Sequence, residues 1–388
     1  MAISRTFTRF FESEKSSGVV LIVCTIVSLA VANSALGPAY LEFWHARFGG
    51  LTVEHWINDG FMAVFFLFVG LELERELYVG ELSNVGNAVL PIVAALGGVL
   101  VPALIHLTLN FGTATQSGIG IPMATDIAFA LGVLALVQSR IPSSLKVFLT
   151  AIAVMYDLAA IVVIALFYTA KLSLMYLSAA LAVFVLLAIF NRVFRWTALL
   201  PYLLGGAVGW FCMLKSGVHA TIAGVLLAFA IPFSAKAEDE DSPSHRLENF
   251  LHRPVAFLVL PLFALANTAL VIGSEWREHT ATPNSIGIVA GLVLGKPIGI
   301  TLASFIAVAI GLSTLPSGLN WRHVFGAGLL GGIGFTMSIF ITNLAFAGQP
   351  GLVSASKLAI LLASVIAGLS GFAWLRMVGT TRTGATGM

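Results

Sequence analysis

Charge is scarce in this sequence. Asp, Glu, Lys and Arg together make up 10% of its 388 residues, where an ordinary soluble domain carries about 25%. That shortage excludes a water-soluble globule. The formal net charge is only +2 and no basic stripe is present, which argues against a nucleic-acid partner. Cysteine is nearly absent: Cys24 and Cys212 lie far apart in apolar segments, so a disulfide framework is excluded. His106 and His252 lack metal-ligand spacing and are assigned to the membrane interface. No phosphate loop, metal cluster or nucleophile triad is found, so neither an enzyme nor a bound cofactor is indicated.

What the chain has in abundance is apolar residues, 58% of the total, with a mean hydropathy of +0.98. A membrane-spanning helix needs about 20 mostly apolar residues. Twelve such segments are predicted, near 17–35, 57–79, 87–109, 119–138, 143–169, 172–191, 196–213, 216–232, 247–272, 285–311, 322–347 and 353–376. The chain therefore reads as one all-α polytopic membrane domain, 1–388. Residues 1–16 form an N-terminal segment and 234–247 a polar loop containing the acidic run 237–241. Gly49–Gly50, flanked by aromatic and β-branched residues, predict a small hairpin at 44–53 outside the bilayer. "AVANS" offers a signal-like cleavage pattern, but Glu12 and Glu14 spoil the basic region a secretory signal requires.

Of the 20 Lys and Arg residues, 14 fall on one side of these segments, Lys236 and Arg382 among them, and five on the other, including Lys171. The bias predicts that both termini are cytoplasmic. Lys296 falls on neither side, because it lies inside a helix.

Three charges are out of place: Asp126, Asp157 and Lys296. Each costs roughly 2.5–3.5 kcal/mol at a helix centre on insertion scales. Such residues commonly line an ion or proton path, although a static ion pair between Asp157 and Lys296 is the plainer alternative. Asp126 has an equally plain one, neutralising a helix N-terminus. Two segments also carry backbone-breaking signals, "GIGIPMATD" (118–126) and "GAGLLGGIGFT" (326–336). Close helix packing would explain the glycines equally well. One interrupted helix in each half, however, points to inverted repeats with an ion site between them.

The motifs "WINDGFMAVFFLFVGLELEREL" (56–77), "ATDIAFALGVLAL" (124–136), "LKSGVHATIAGVLLAF" (214–229), "GKPIGI" (295–300) and "GGIGFTMSIFI" (331–341) closely resemble the NhaA family of bacterial sodium/proton antiporters. This family is itself an example behind the inverted-repeat rule used above. The resemblance implies that the fourth and eleventh helices are interrupted and crossed. Asp126 and Lys296 would then compensate opposed helix ends, with Thr125 beside them. Asp157 would bind the transported cation, Na⁺ or Li⁺, in competition with H⁺. The resemblance further implies pH regulation, with Glu72, Glu76, Glu248 and His219 as sensing candidates, and a homodimer in the bacterial inner membrane. A solvated helix end is the plain alternative for the glutamates, and a satisfied helix-end histidine for His219.

One departure stands out. The family places two adjacent aspartates in the fifth helix, and this chain has Tyr156 before Asp157. A phenol, with an ordinary pKa near 10, cannot balance an ammonium. If the first carboxylate is indispensable, the chain keeps the fold with impaired or altered transport. A passive channel is a further rival, distinguished by flux that needs no counter-ion gradient. An intramembrane aspartyl protease is excluded, because the second Asp in a Gly-x-Gly-Asp setting is missing.

Overall fold

Helices in this chain stop and start at prolines, glycines and capping side chains. The computed structural model describes residues 5–169, 172–234, 242–273 and 276–379, with side chains from residue 16 onward apart from residue 279. The acidic run 237–241, together with Lys171, Lys236, Arg382 and the first four residues of the N-terminal segment, lies outside the described residues.

The chain is mostly helical. Helix α1 (Arg5–Ala32) is followed by α2 (Gly37–His45), bent 113° from the preceding Ser16–Ala32 stretch. Strands β1 (Arg47–Phe48) and β2 (Leu51–Thr52) pair antiparallel. Their turn needs glycine, because Gly49 and Gly50 have φ of +60° and +89°. Helix α3 (Val53–His55) runs through a π turn at Trp56–Phe61 into α4 (Met62–Tyr78). After α5 (Val85–Asn110), a 3₁₀ segment (Gln116–Met123) precedes α6 (Ile127–Leu136). Next come α7 (Ser143–Phe167), α8 (Leu174–Arg192), α9 (Leu199–Ser216) and α10 (Ile222–Ala230). A π turn at Val255–Val259 joins α11 (Pro243–Pro254) to α12 (Leu260–Asn267). Beyond α13 (Trp276–Thr280), a π turn at Gly291–Gly295 joins α14 (Pro283–Ala290) to α15 (Lys296–Ala309). The remaining helices are α16 (Trp321–Gly331), α17 (Phe335–Ala345) and α18 (Pro350–Val378).

Among the described residues, nine helices are long and apolar enough to cross a membrane, or eleven if each bent pair counts as one span. The predicted span 216–232 is shorter than expected. Gly217, at φ +87°, ends α9, and α10 has only nine residues. Helix α1 begins within the N-terminal segment, at Arg5. The hairpin strands occupy 47–52, because 44 and 45 complete α2. The polar loop ends sooner than predicted: Ser242 caps α11, accepting a hydrogen bond from the His245 amide, and Pro243 opens the helix.

The chain divides into two compact units. The first comprises Met1–Val19, Val85–Tyr156 and Gly273–Met388. Its α5 and α15 touch backbone to backbone, and a Cβ at Gly97 or Gly299 would collide with the other's carbonyl. Small residues at such a contact let packing hold helices together where lipid removes any hydrophobic drive. Leu96, Leu100 and Leu104 of α5 are more than half exposed, while Ala95, Val99, Ala103 and His106 are buried. The apolar stripe on the outside is what a hydrocarbon solvent requires.

The second unit comprises Val20–Asn84 and Asp157–Ile272. Gly70 of α4 packs on Ala228 of α10, and Gly224 of α10 on the Ala63 carbonyl of α4. Polar side chains tie its segments together. Ser28 donates to the Leu265 carbonyl at 2.7 Å, and Asn267 to the Asn58 side chain at 2.8 Å.

Candidate functional site

Pro122 has no amide proton, and the 3₁₀ segment that contains it ends at Met123. The chain is not helical over 124–126 and restarts at Ile127. In the second glycine-rich stretch α16 ends at Gly331, α17 begins at Phe335, and the two halves bend by 47°. Both interruptions lie within the first unit. Backbone groups freed inside a membrane must be satisfied by protein or by a wet cavity, and here protein side chains and one backbone bond between the two segments receive several of them.

Asp126 receives the helix N-termini. Its Oδ1 accepts the Phe129 amide of α6 at 2.9 Å, and its Oδ2 accepts the Thr336 amide of α17 at 3.1 Å. The Thr336 hydroxyl donates to the same Oδ2 at 2.5 Å. The Asp126 amide itself donates to the Ile333 carbonyl at 2.7 Å. One carboxylate thus caps two helix starts, where partial positive charge accumulates. Ser338 donates to the Ile121 carbonyl at 2.8 Å, and Ser364 of α18 accepts the Phe335 amide at 3.1 Å.

Lys296 and Thr125 receive the carbonyl ends. The Lys296 ammonium donates to the Met123 carbonyl at 2.5 Å and to the Thr125 hydroxyl at 3.0 Å. The Thr125 hydroxyl in turn donates a hydrogen bond to the Gly331 carbonyl at 2.6 Å, at the end of α16. The ammonium also lies 3.5 Å from the centroid of the Tyr156 ring. Lys296, Thr125, Asp126 and Tyr156 are all buried, at most 2% exposed. The Tyr156 hydroxyl has no hydrogen-bond partner among the described residues. It lies against Gly98, where any Cβ would strike it. The π turn Gly291–Gly295 ends at Lys296, and such turns re-aim the helix face that follows.

Asp157 follows Tyr156 on α7 and belongs to the second unit, where it is 3% exposed. The same unit gathers three sensing candidates around one arginine. Arg75 donates to Glu248 and to Glu76, each at 2.8 Å, and lies 3.9 Å from Glu72. Glu76 also accepts the Glu81 amide at 3.2 Å, and Ser244 donates to Glu74 at 3.4 Å. His219 is in the link between α9 and α10, and its carbonyl accepts the Ile222 amide at 3.2 Å. It is not among the partners of that arginine.

The geometry described so far belongs to a membrane protein that joins two broken segments through one acid and one lysine. The sequence profile of the family described as Na⁺/H⁺ antiporter 1 matches residues 8–375. The chain belongs to this family. It is 70% identical over 373 residues to the Na(+)/H(+) antiporter NhaA of Dechloromonas aromatica, covering 96% of each chain. It is 56% identical over 377 residues to the protein of the same name from Cytophaga hutchinsonii, covering 97% of this chain and 96% of the other. Identity to the Mesorhizobium japonicum protein of that name is 49% over 376 residues, covering 96% and 94%. The family is one of transporters rather than enzymes.

Against this family background, several partners escaped the sequence reading. Thr336 is one, although a hydroxyl in the first turn after a glycine break is a recognisable signal. Arg75 stands beside Glu72, Glu74 and Glu76 in the sequence, but its bond to Glu248, 173 residues away, carried no sequence signal. The partner of His106 is another: the imidazole is fully buried and bonded to Asn284 at 3.1 Å, and Asn284 donates to Ser356 at 2.8 Å. Asn284 and Ser356 carried no sequence signal beyond being polar in apolar helices.

Proposed function

We propose that this chain exchanges Na⁺ or Li⁺ for H⁺ across the bacterial inner membrane, with cation and proton competing for Asp157. The observation that carries this reading is a carboxylate only 3% exposed inside a membrane chain of the Na⁺/H⁺ antiporter 1 family. A hard cation prefers oxygen ligands and neutralises the same charge that a proton would. If each loaded form of the carboxylate crosses and the empty anion does not, the opposite fluxes are coupled. Alternating access follows from one repeat or bundle rocking against the other.

The finer features belong to the same reading. The transporter has twelve spans arranged as inverted repeats in a single transport domain, with both termini cytoplasmic. It forms a homodimer in the bilayer, supported by the edge that the 47–52 hairpin offers. Asp126, Thr125 and Lys296 neutralise the opposed helix ends and keep the interrupted segments in register. Glu72, Glu76 and Glu248, grouped around Arg75, adjust activity to pH, with His219 as a separate sensor.

Tyr156 favours a second reading, in which the fold is kept and exchange is impaired or altered. One experiment decides between them. Proteoliposomes holding the full chain are given a pH gradient, and Na⁺ is added outside. Collapse of the gradient by the native chain, and its loss in Asp157→Asn, supports antiport. A silent native chain with recovery in Tyr156→Asp establishes the second reading.

A further inference from the structure

In the first unit, one buried imidazole is shared by helices from distant parts of the chain. The Nε2 of His106, on α5, lies 3.1 Å from the Asn284 Oδ1 at the start of α14, and the Asn284 Nδ2 donates to the Ser356 hydroxyl of α18 at 2.8 Å. With the amide oriented in this way, Nε2 carries the ring proton and donates it. One turn further along α5, Asn110 donates to the His106 carbonyl at 2.9 Å and to the Pro283 carbonyl at 3.2 Å, and it accepts the Thr115 hydroxyl at 2.7 Å. His106, Asn110, Asn284 and Ser356 are each at most 2% exposed. Burying such groups costs free energy, and what their bonds return is one fixed arrangement of the backbones that carry them.

Both interrupted segments end against this cluster. A Cβ on Gly118, in the 3₁₀ segment, would stand 3.2 Å from both the Asn284 Oδ1 and the His106 Cε1, and 2.9 Å from the Phe346 ring. Phe346 directly follows α17 and is fully buried. Beside it, Ser117 donates to the Ala345 carbonyl at 3.2 Å. The far ends of the 3₁₀ segment and of α17 are thus held side by side, with Gly118 pressed on the imidazole and the amide. At its other end the 3₁₀ segment presents the Met123 carbonyl to the Lys296 Nζ, and Ser338 of α17 reaches the Ile121 carbonyl. The Lys296 side chain lies over the Tyr156 ring, and Asp157 is the next residue of the chain.

We propose that His106 and Asn284 are positioning residues of the exchanger. With Ser356 they form the seat on which the far ends of both interrupted segments rest, and they thereby set where the carbonyls point at the crossing. This rests on the antiport reading and adds to it residues that touch neither the cargo carboxylate nor Asp126, Thr125 and Lys296. Function is sensitive to such seats, because a misplacement of about 1 Å with a distant cause can cost up to about 10²-fold.

Two measurements on the full chain test this. His106→Phe keeps a ring and removes the donor, whereas His106→Gln offers Asn284 an amide N–H in place of Nε2. In proteoliposomes, KM for Na⁺ is expected to rise roughly five- to tenfold in His106→Phe and Asn284→Ala, about what one lost hydrogen bond gives. The maximal rate per folded protein is expected to stay near the native one, and His106→Gln to recover most of the native KM. A maximal rate that falls with KM unchanged marks a purely structural role and overturns the proposal, as does a Gln variant no better than Phe. The second measurement is amide hydrogen exchange of the purified chain. His106→Phe is expected to speed exchange within 116–126 and 342–349 and to leave the other helices near native. Unchanged exchange in those two stretches, or uniform acceleration, overturns the seat. Where either larger change prevents folding, Ser356→Ala removes a single bond of the cluster and is held to the same two outcomes, with a smaller rise in KM. A native chain without Na⁺-dependent exchange overturns the antiport reading, and the amide measurement still decides the seat.

Discussion

Replacing Asp126 with alanine removes the acceptor that joins two helix starts. Three donors lose their partner: the Phe129 amide, the Thr336 amide and the Thr336 hydroxyl. All three belong to a site where Asp126 and Thr336 are each 2% exposed, so bulk water does not readily replace the carboxylate. A buried donor left unsatisfied costs about 1–3 kcal/mol. Loss of a helix N-cap alone typically costs about 1 kcal/mol. Allowing for partial relaxation of the vacated space, the expected loss for Asp126→Ala is about 4 kcal/mol. Thr336→Val removes one donor to the same oxygen and should cost about 2 kcal/mol. The two effects should not add. Once Asp126 is gone the Thr336 hydroxyl has already lost its partner, so the pair should couple by about 2 kcal/mol. The assay is SDS-driven unfolding of the full chain in mixed micelles, followed through its seven tryptophans. An Asp126→Ala protein within about 1 kcal/mol of the native one, or strict additivity with Thr336→Val, refutes the view that one carboxylate joins both segments.

Three further outcomes follow from contacts elsewhere. Gly98→Ala places a methyl group against the Tyr156 hydroxyl and Ile300 and should destabilise the fold by about 1–3 kcal/mol; adding Tyr156→Phe should restore part of this, as read by melting temperature. Arg75→Ala leaves Glu72, Glu76 and Glu248 without their shared cation. Because the arginine is 32% exposed, the expected loss is a modest 1–2 kcal/mol, roughly, and Glu248→Gln should recover some of it. Asn284→Ala strips partners from His106 and Ser356 in a fully buried network. It should lower stability by about 2–4 kcal/mol in the same micelle titration.

Hydropathy and the breaking residues made much of this legible in the sequence. Asp126 and Lys296 stood out as charges in apolar segments, and the glycine and proline runs marked where the helices stop. What they bind was not legible. The Met123 and Gly331 carbonyls carry no side-chain signal, and their direction is set by how two interrupted segments far apart in sequence come together. Tyr156 was judged by its hydroxyl, the group a sequence advertises. The structure uses its ring, and only a contact between residues 140 positions apart reveals that. The helix at 216–232 is shorter than hydropathy suggests for a related reason: hydropathy registers burial and not helical continuity, and Gly217 turns the chain where apolar residues continue on both sides. The burial of His106 was not legible either, because its partner Asn284 lies 178 residues away in the sequence.

The most direct test of the central claim is calorimetric titration of the purified full chain with Na⁺ over a series of pH values, alongside Asp157→Asn. If one carboxylate takes either ion, apparent Na⁺ affinity should rise by up to about tenfold per pH unit while the proton competes, then level off. Heat should vanish in the Asn variant. Na⁺ affinity that is flat across pH, or binding that survives the loss of the Asp157 carboxylate, would contradict the account.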